Sequence, residues 1–306
     1  MTLAKTLYIP VADDVQLAAT SFGEVGKPVV ILMHGAGQTR HSWRQASQRL
    51  GTAGWHAVTV DARGHGNSDW PQDGDYSIDT LVSDLLSLVR HFESTSDSKP
   101  VLVGASLGGV CGMLAEGEAL TRVFSSIVLV DITPRIEHTG VARIIEFMNR
   151  YQGGFASVEE AAVAVASYQS NRVRAIHSTA KQVDTPDTAS AAGRGKNTEG
   201  LKKNLRLADD GRYYWHWDPR LMQHIGTINT DLYQRQCDAA ARLELPVLLV
   251  RGQQSDIVSR ESVNEFLELV PHAQFQDIAD AAHMVAGDNN DIFARSVLEF
   301  IETERR

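Results

Sequence analysis

Cysteine is scarce in this chain, which has two among 306 residues. Cys111 and Cys237 are far apart in the sequence, and so small a number excludes the disulfide framework that stabilises many small secreted domains. Paired C-x-x-C sites, H-E-x-x-H and the glycine-rich phosphate-binding motifs are also missing, so we expect no metal and no cofactor. We interpret both cysteines as reduced thiols of a cytoplasmic protein and expect neither to be catalytic.

Long hydrophobic runs are also absent. No segment approaches the roughly 20 apolar residues that a membrane-spanning helix needs. The first residues, MTLAKTLYIPVADDVQL, contain neither the apolar stretch nor the small-residue cleavage site of a signal peptide. The sequence therefore predicts a protein that is not exported and does not bind membranes.

Basic charge is in deficit, because 29 lysines and arginines face 38 aspartates and glutamates, a formal net charge of −9. An acidic surface repels phosphate backbones, which excludes nucleic acid as an expected partner. Residues 134–235 differ from the rest: 14 basic minus 11 acidic side chains gives +3, which leaves −12 elsewhere. This asymmetry hints at a negatively charged substrate such as a monoester of a diacid, and solvated surface charge explains it nearly as well.

Eight segments have the length and composition of β-strands. The first two, joined by an acidic turn, predict an antiparallel edge, whereas the continuous apolar runs that follow are typical of strands buried on both faces of a parallel sheet. Helical patterns alternate with these runs, as in residues 77–92, where the apolar side chains share one face. We therefore predict an α/β fold with a mostly parallel eight-stranded sheet and helices on both faces. The strand segments are residues 4–14, 15–24, 28–35, 56–64, 100–106, 125–133, 246–252 and 273–280.

The strand rhythm stops at residues 134–235, where helical patterns dominate. Ser157 and Glu160 have the spacing of a capping box and predict a helix start. Residues 178–200 are small and polar and predict a flexible loop. The aromatic run RYYWHWDP at 212–219 fits either a pocket wall or a small core of its own.

The stretch VLVGASLGGV, residues 101–110, places Ser106 between a buried strand and a helical segment. A sharp reversal there strains the residue at its apex and needs neighbours without side chains, which Gly104 and Gly108 provide. In this context the G-x-S-x-G pattern matches the nucleophile elbow of α/β hydrolases. Four further segments occur along the chain in the order that is typical of that family: HGAG at 34–37, DARGHGNSD at 61–69, RGQQSDIV at 251–258 and AAHMVAGD at 281–288.

On these motifs the chain resembles the α/β-hydrolase superfamily over nearly its whole length. The resemblance implies an α/β-hydrolase core formed by residues 1–133 and 236–306, with residues 134–235 as a helical cap inserted after the sixth strand. It also implies that a nucleophile, an acid and a histidine occur in that order along the chain. Ser106, Asp256 and His283 are therefore the expected catalytic residues, and Asp131, at the end of an earlier strand, is the alternative acid.

Acyl transfer also needs hydrogen-bond donors for the oxyanion. We expect the amides of Leu107, directly after the nucleophile, and of Ala36 in the HGAG segment, with Gly37 as the fallback. His34 is expected to support this loop through hydrogen bonds rather than to carry protons, and the same structural role is expected for Arg63 and His65.

The resemblance implies a serine hydrolase of the carboxylesterase type that acts on a small to medium acyl substrate through an acyl-enzyme. Carbon–carbon bond hydrolases, lactonases, thioesterases and cofactor-free perhydrolases keep the serine and stay open as alternatives. Haloalkane dehalogenases and epoxide hydrolases need an aspartate at position 106 and are disfavoured. A ligand-binding receptor of the same fold is the non-enzymatic alternative, and the sequence leaves the oligomeric state open.

Overall fold

The computed structural model describes residues 4–179, 197–224, 230–279 and 290–304. Ten strands lie in these ranges: β1 (Lys5–Pro10), β2 (Gln16–Phe22), β3 (Val29–Met33), β4 (His56–Val60), β5 (Val101–Ala105), β6 (Ser126–Val130), β7 (Leu205–Leu207), β8 (Tyr213–Trp215), β9 (Val247–Gly252) and β10 (Gln274–Ile278). The helices there are α1 (Arg44–Thr52), α2 (Ile78–Glu93), α3 (Leu107–Gly117), α4 (His138–Arg150), α5 (Val158–Thr179), α6 (Asn197–Lys202), α7 (Thr230–Ala240), α8 (Arg260–Leu269) and α9 (Asn290–Thr303).

Eight of the strands form one sheet, in the order β1, β2, β4, β3, β5, β6, β9, β10. The pairs β1–β2 and β2–β4 are antiparallel, and the five pairings from β4 to β10 are parallel. The prediction of a mostly parallel eight-stranded sheet with an antiparallel edge is confirmed. Parallel strands bring their carboxyl ends to one edge of the sheet, which is where the loops that carry function gather.

Side chains of the central strands alternate between two apolar cores. Leu102 of β5 packs in the core that also contains residues of α2, α3, α7 and α8. Its neighbours Val101 and Val103 pack on the opposite face, with residues of α1 and α9. Because both faces are covered, the strands need apolar side chains at every position, which accounts for the continuous apolar runs.

The position of helix α2 agrees with the apolar periodicity of the sequence. It begins at Ile78, and the Ser77 hydroxyl accepts a hydrogen bond from the Thr80 amide at 3.4 Å. Leu85 and Leu88 are completely buried on its inner face. The helix predicted over residues 77–92 is confirmed within one residue at each end.

The described residues between β6 and β9 are mainly helical and also contain a small sheet that the sequence patterns did not indicate. Strands β7 and β8 pair antiparallel over three residues each, which is too short for a periodic signal. Helix α5 begins at Val158, and the Glu160 amide donates to the Ser157 hydroxyl at 3.2 Å, so the helix start predicted there is confirmed. The boundary drawn at Arg235 falls inside α7, whose Ala239 and Ala240 belong to the core beneath the main sheet.

The aromatic run at 212–219 serves two clusters. Tyr213 and Trp215 pack with Phe155 in a small core formed within residues 147–215. Trp217 instead packs with Met148 of α4 and with Tyr76 of the body, by which we mean the main sheet with the helices and loops that flank it. The run therefore builds a local core and also attaches this part of the chain to the body.

Candidate active site

Ser106 lies at the tight turn between β5 and α3, at the carboxyl edge of the sheet. Its backbone has φ +46° and ψ −113°, a left-handed conformation that is rare for a residue with a side chain. A Cβ on Gly104 would lie 2.6 Å from the Gly108 carbonyl oxygen, and one on Gly108 would lie 2.6 Å from the Met33 Cβ. Glycine at both positions is therefore what allows α3 to pass this close to β5 and β3.

The amino end of α3 lies at the same edge of the sheet, directly after Ser106. The Ser106 carbonyl accepts hydrogen bonds from the amides of Gly109 and Val110, both at 2.9 Å. The Leu107 amide is the first in the helix, where the intrahelical partner is missing and the helix dipole is positive. None of the described residues accepts a hydrogen bond from it, so this N–H can bind an anionic oxygen next to the Ser106 side chain.

The loop 34–37 lies against the elbow from the other side. A Cβ on Gly35 would lie 3.1 Å from the Ser106 Cβ. The amide of Gly37, the fallback oxyanion donor, instead donates to Nε2 of His65 at 3.1 Å. The Ala36 amide has no acceptor among the described residues, so it is the donor of this loop that an oxyanion can use.

Two buried histidines hold this loop in place. Nδ1 of His34 donates to the Gly35 carbonyl at 2.8 Å, and its Nε2 accepts from the Ala62 amide at 3.0 Å. His65 uses Nδ1 on the Arg63 carbonyl at 3.0 Å and Nε2 on the Gly37 amide. Burial lowers the pKa of His34, and burial together with the neighbouring His34 lowers the pKa of His65 to about 3. Both rings are neutral and engaged at both nitrogens, so neither is a proton carrier.

A buried ion pair fixes the next loop, as the sequence predicted for Arg63. Its guanidinium donates to both carboxylate oxygens of Asp84, at 2.6 and 2.7 Å. Desolvation opposes the positive charge, and the Asp84 carboxylate outweighs that effect and raises the pKa of Arg63. Arg63 therefore has a structural role, since its side chain is completely buried.

Asp131 follows β6 directly and is completely buried, with φ +50°. Its carboxylate accepts hydrogen bonds from the Ser255 hydroxyl at 2.6 Å and from the Gly252 amide at 3.3 Å. It is also close to the elbow in the sheet, because the preceding residue, Val130, accepts a hydrogen bond from the Ser106 amide at 3.1 Å. Asp131, the alternative acid of the sequence analysis, is thus held firmly beside the turn at Ser106.

Asp256 accepts a hydrogen bond from a residue of α4. Its carboxylate, with 3% of the side chain exposed, accepts a hydrogen bond from Nη2 of Arg143 at 2.9 Å. Helix α4 carries Arg143, and Gly140 one turn earlier packs so closely on the Asp256 carbonyl that a Cβ there would clash with it. Sequence reasoning gave Arg143 and Ser255 no role, because nothing in a pattern shows which way a loop side chain turns.

The expected base, His283, lies outside the described residues. Within the described ranges, no group of three or more His, Cys, Asp or Glu side chains is arranged to hold a metal ion. Among the described helices, none has the length and apolar character needed to cross a membrane.

The sequence and the structure of this chain are similar to those of several known proteins. A family model described as alpha/beta hydrolase fold matches residues 28–289. The chain is 27% identical over 300 residues to esterase Rv0045c of Mycobacterium tuberculosis, covering 96% of this chain and 88% of that protein. It is 28% identical over 283 residues to the sn-1-specific diacylglycerol lipase ABHD11 of Mus musculus, covering 91% and 82%. The crystal structure of E-2-(acetamidomethylene)succinate hydrolase superposes with a TM-score of 0.76 at 21% identity, covering 98% of this chain and all of that one.

Proposed function

The chain belongs to the α/β hydrolase fold family, and from that premise we propose that it is a serine hydrolase that cleaves a carboxylic ester of a small to medium substrate. The observation that carries the proposal is the backbone of Ser106, strained at the end of β5 and followed at once by a helix amino terminus. Relatives that are an esterase and a lipase support hydrolase chemistry. The bond cleaved and the residues that cleave it are our proposal.

The proposed reaction passes through an acyl-enzyme. His283 accepts the Ser106 proton as the oxygen attacks the ester carbonyl carbon, and the amides of Leu107 and Ala36 bind the resulting oxyanion. The tetrahedral species collapses with loss of the alcohol, which takes the proton from His283. A water molecule, deprotonated by His283, then attacks the acyl-enzyme and releases the acid and free Ser106.

For the acid that orients His283 we propose Asp131, the alternative to the expected Asp256. An orienting aspartate needs to be buried and fixed by further hydrogen bonds. Asp131 has this environment through Ser255 and Gly252. The Asp256 carboxylate accepts a hydrogen bond from a guanidinium of α4, and a carboxylate that shares its charge with a cation is a weaker partner for an imidazolium.

We also propose that the cap predicted at residues 134–235 covers this site, without α7, which begins at Thr230 and packs beneath the main sheet. Helix α4 supports this role because it crosses from one flank of the elbow to the other. Gly140 packs on the Asp256 backbone, and Met148, two turns later, packs against Gly37. A cap in this position limits access of water and decides which acyl groups fit.

Steady-state turnover of a panel of ethyl esters, lactones and thioesters tests the proposal. We expect turnover of short acyl esters by the wild type and a loss of at least about 1000-fold in kcat for Ser106→Ala. Ser83→Ala, which changes an exposed serine of α2, is the matched control and retains wild-type rates. Tight ligand binding without turnover would support the receptor alternative instead, and a preference for thioesters or lactones would change the substrate class.

A further inference from the structure

Arg143 is the one charged side chain on the face of α4 that is turned towards the body. That face is defined by three contacts: Gly140 packs on the Asp256 carbonyl, Ile144 packs against the main core, and Met148 packs against Gly37. The separation of Gly140 and Met148 is eight residues, about 12 Å along a helix. Arg143 therefore lies along the span that crosses the elbow, between the two loops that flank Ser106.

The environment of Arg143 prepares it for an anion. Asp256 accepts from Nη2 and fixes the side chain, while 33% of that side chain stays exposed. A guanidinium carries five N–H donors in one plane, a fork that suits a second carboxylate. The Nε–H is buried and has no acceptor among the described residues, and a buried donor without a partner is costly.

A partly buried ion pair of this kind contributes little to the stability of a fold, because the loss of hydration offsets much of the attraction. Asp256 neutralises part of the charge of Arg143, which reduces the attraction of Arg143 for another anion. The same contact holds the guanidinium in one orientation. Carboxylate binding by an oriented guanidinium loses little side-chain entropy. The excess of three positive charges over residues 134–235, from 14 basic and 11 acidic side chains, acts in the same direction.

From this geometry we propose that Arg143, oriented by Asp256, binds a second carboxylate of the substrate, so that the enzyme acts on half-esters of dicarboxylic acids. The inference rests on the proposed function, since it names the substrate class of the same site. It also gives Asp256 a positioning task that is separate from the proton transfers at Ser106.

Two esters that differ by one group test this inference. Monoethyl succinate carries a terminal carboxylate where ethyl butyrate has a methyl group, and proton release measures the hydrolysis of both. We expect the wild type to favour monoethyl succinate in kcat/KM. Arg143→Gln should lower the ratio of the two kcat/KM values about 10- to 100-fold, the range of a charge-assisted hydrogen bond.

Two further variants control this experiment. Arg150→Gln, on the exposed end of the same helix and paired with Glu146, keeps the wild-type ratio. Asp256→Asn lowers the ratio because Arg143 loses its anchor. An equal loss of both activities in Arg143→Gln would mean that the ion pair only fastens α4 to the body, and it would overturn the inference. Loss of all turnover in Asp256→Asn would make Asp256 the acid and overturn the inference too.

A binding measurement separates this inference from the proposed function. Calorimetric titration of Ser106→Ala with monoethyl succinate should give a Kd that rises about 10- to 100-fold when Arg143→Gln is added. Turnover of ethyl butyrate with no preference for the half-ester and no change in Kd would overturn the inference alone. Absence of turnover for every ester would overturn the proposed function, and the titration would then decide the carboxylate site by itself.

Discussion

Two residues at the centre of the candidate site have strained backbones. Ser106 and Asp131 have φ of +46° and +50°, and a left-handed conformation costs a residue with a side chain about 1–3 kcal/mol. Such strain persists only where the surroundings enforce it. Here the sheet enforces it, because Val130 accepts from the Ser106 amide and Val250 accepts from the Asp131 amide.

The identity of the acid is the sharpest prediction for single residues. Asp131→Asn should lower kcat for a short ethyl ester about 10⁴-fold, because an amide favours the wrong tautomer of the histidine. Asp256→Asn should lower kcat for the same neutral ester by a much smaller factor. Steady-state kinetics on both purified variants measures this, and the reverse order of effects would restore Asp256 as the acid.

His65 makes stability depend on pH. Its pKa is lowered to about 3 in the folded chain, whereas an unfolded histidine titrates near 6.5. Between about pH 3 and about pH 6.5 the unfolded chain binds a proton at His65 that the folded chain does not bind. The stabilisation that the neutral His65 gives the folded chain is therefore complete above about pH 6.5 and falls as the pH falls towards about 3. The loss from this one group is at most about 1.4 kcal/mol per pH unit.

Urea unfolding of His65→Asn between pH 4.5 and 7 tests this effect. We expect the free energy of unfolding to decrease less steeply on acidification than in the wild type. His91→Asn, which removes an exposed histidine, is the control and keeps the wild-type slope. If His65→Asn kept that slope as well, His65 would not be the neutral acceptor for Gly37 that the hydrogen bonds indicate.

At the level of elements, helix α4 joins the body to the residues that follow β6. Its first turn fits against the loop after β9 because position 140 has no side chain. The Glu137 amide, just before the helix, donates to the Ile257 carbonyl at 2.8 Å. The same helix supplies Met148 to the cluster around Trp217, so α4 is held in place at both ends.

Gly140→Ala tests how closely the first turn of α4 packs on the loop after β9. The added methyl group would clash with the Asp256 carbonyl, and overpacking of this kind costs about 1–3 kcal/mol. We expect a lower free energy of unfolding and a lower kcat/KM, measured by urea unfolding and ester hydrolysis. Gly153→Ala is the matched control, because a methyl group there meets nothing within 4 Å. Equal stability of the two variants would contradict the close contact.

On the scale of the whole molecule, residues 213–221 are attached to the body by buried polar contacts. The Tyr76 hydroxyl donates to the Asp218 carboxylate at 2.7 Å, and the Asp218 amide donates to the Gly64 carbonyl at 2.8 Å. Burial and the Asp218 carboxylate raise the pKa of Tyr76, so the phenol remains a donor at any ordinary pH. The docking is therefore not sensitive to alkaline titration of this group.

Tyr76→Phe measures the strength of this attachment. Loss of a hydrogen bond to a charged group should lower the free energy of unfolding by about 1–3 kcal/mol, as measured by urea denaturation. Tyr8→Phe, on the exposed edge strand with 57% of the residue accessible, should change it little. A wild-type value for Tyr76→Phe would show that the Tyr76–Asp218 contact contributes nothing to docking.

The sequence predicted those features whose signals are local. The main strands, α2 and the elbow glycines were all foreseen, because continuous apolar runs, a 3.6-residue period and G-x-S-x-G each act over a few neighbouring positions. Strands β7 and β8 were missed, since three residues make no period. The roles of Ser255 and Arg143 were missed because they depend on the direction of side chains in a loop and on a helix that packs from more than 100 residues away.

The most direct test of the account is covalent labelling of Ser106. A fluorophosphonate forms a stable adduct only with an activated serine, and intact-mass measurement followed by peptide mapping locates it. We expect one adduct per chain, on Ser106, with ester turnover lost in proportion to the labelled fraction, and no adduct in Ser106→Ala. Full turnover by a chain that the reagent does not label, or by Ser106→Ala, would contradict the claim that this hydroxyl is the nucleophile.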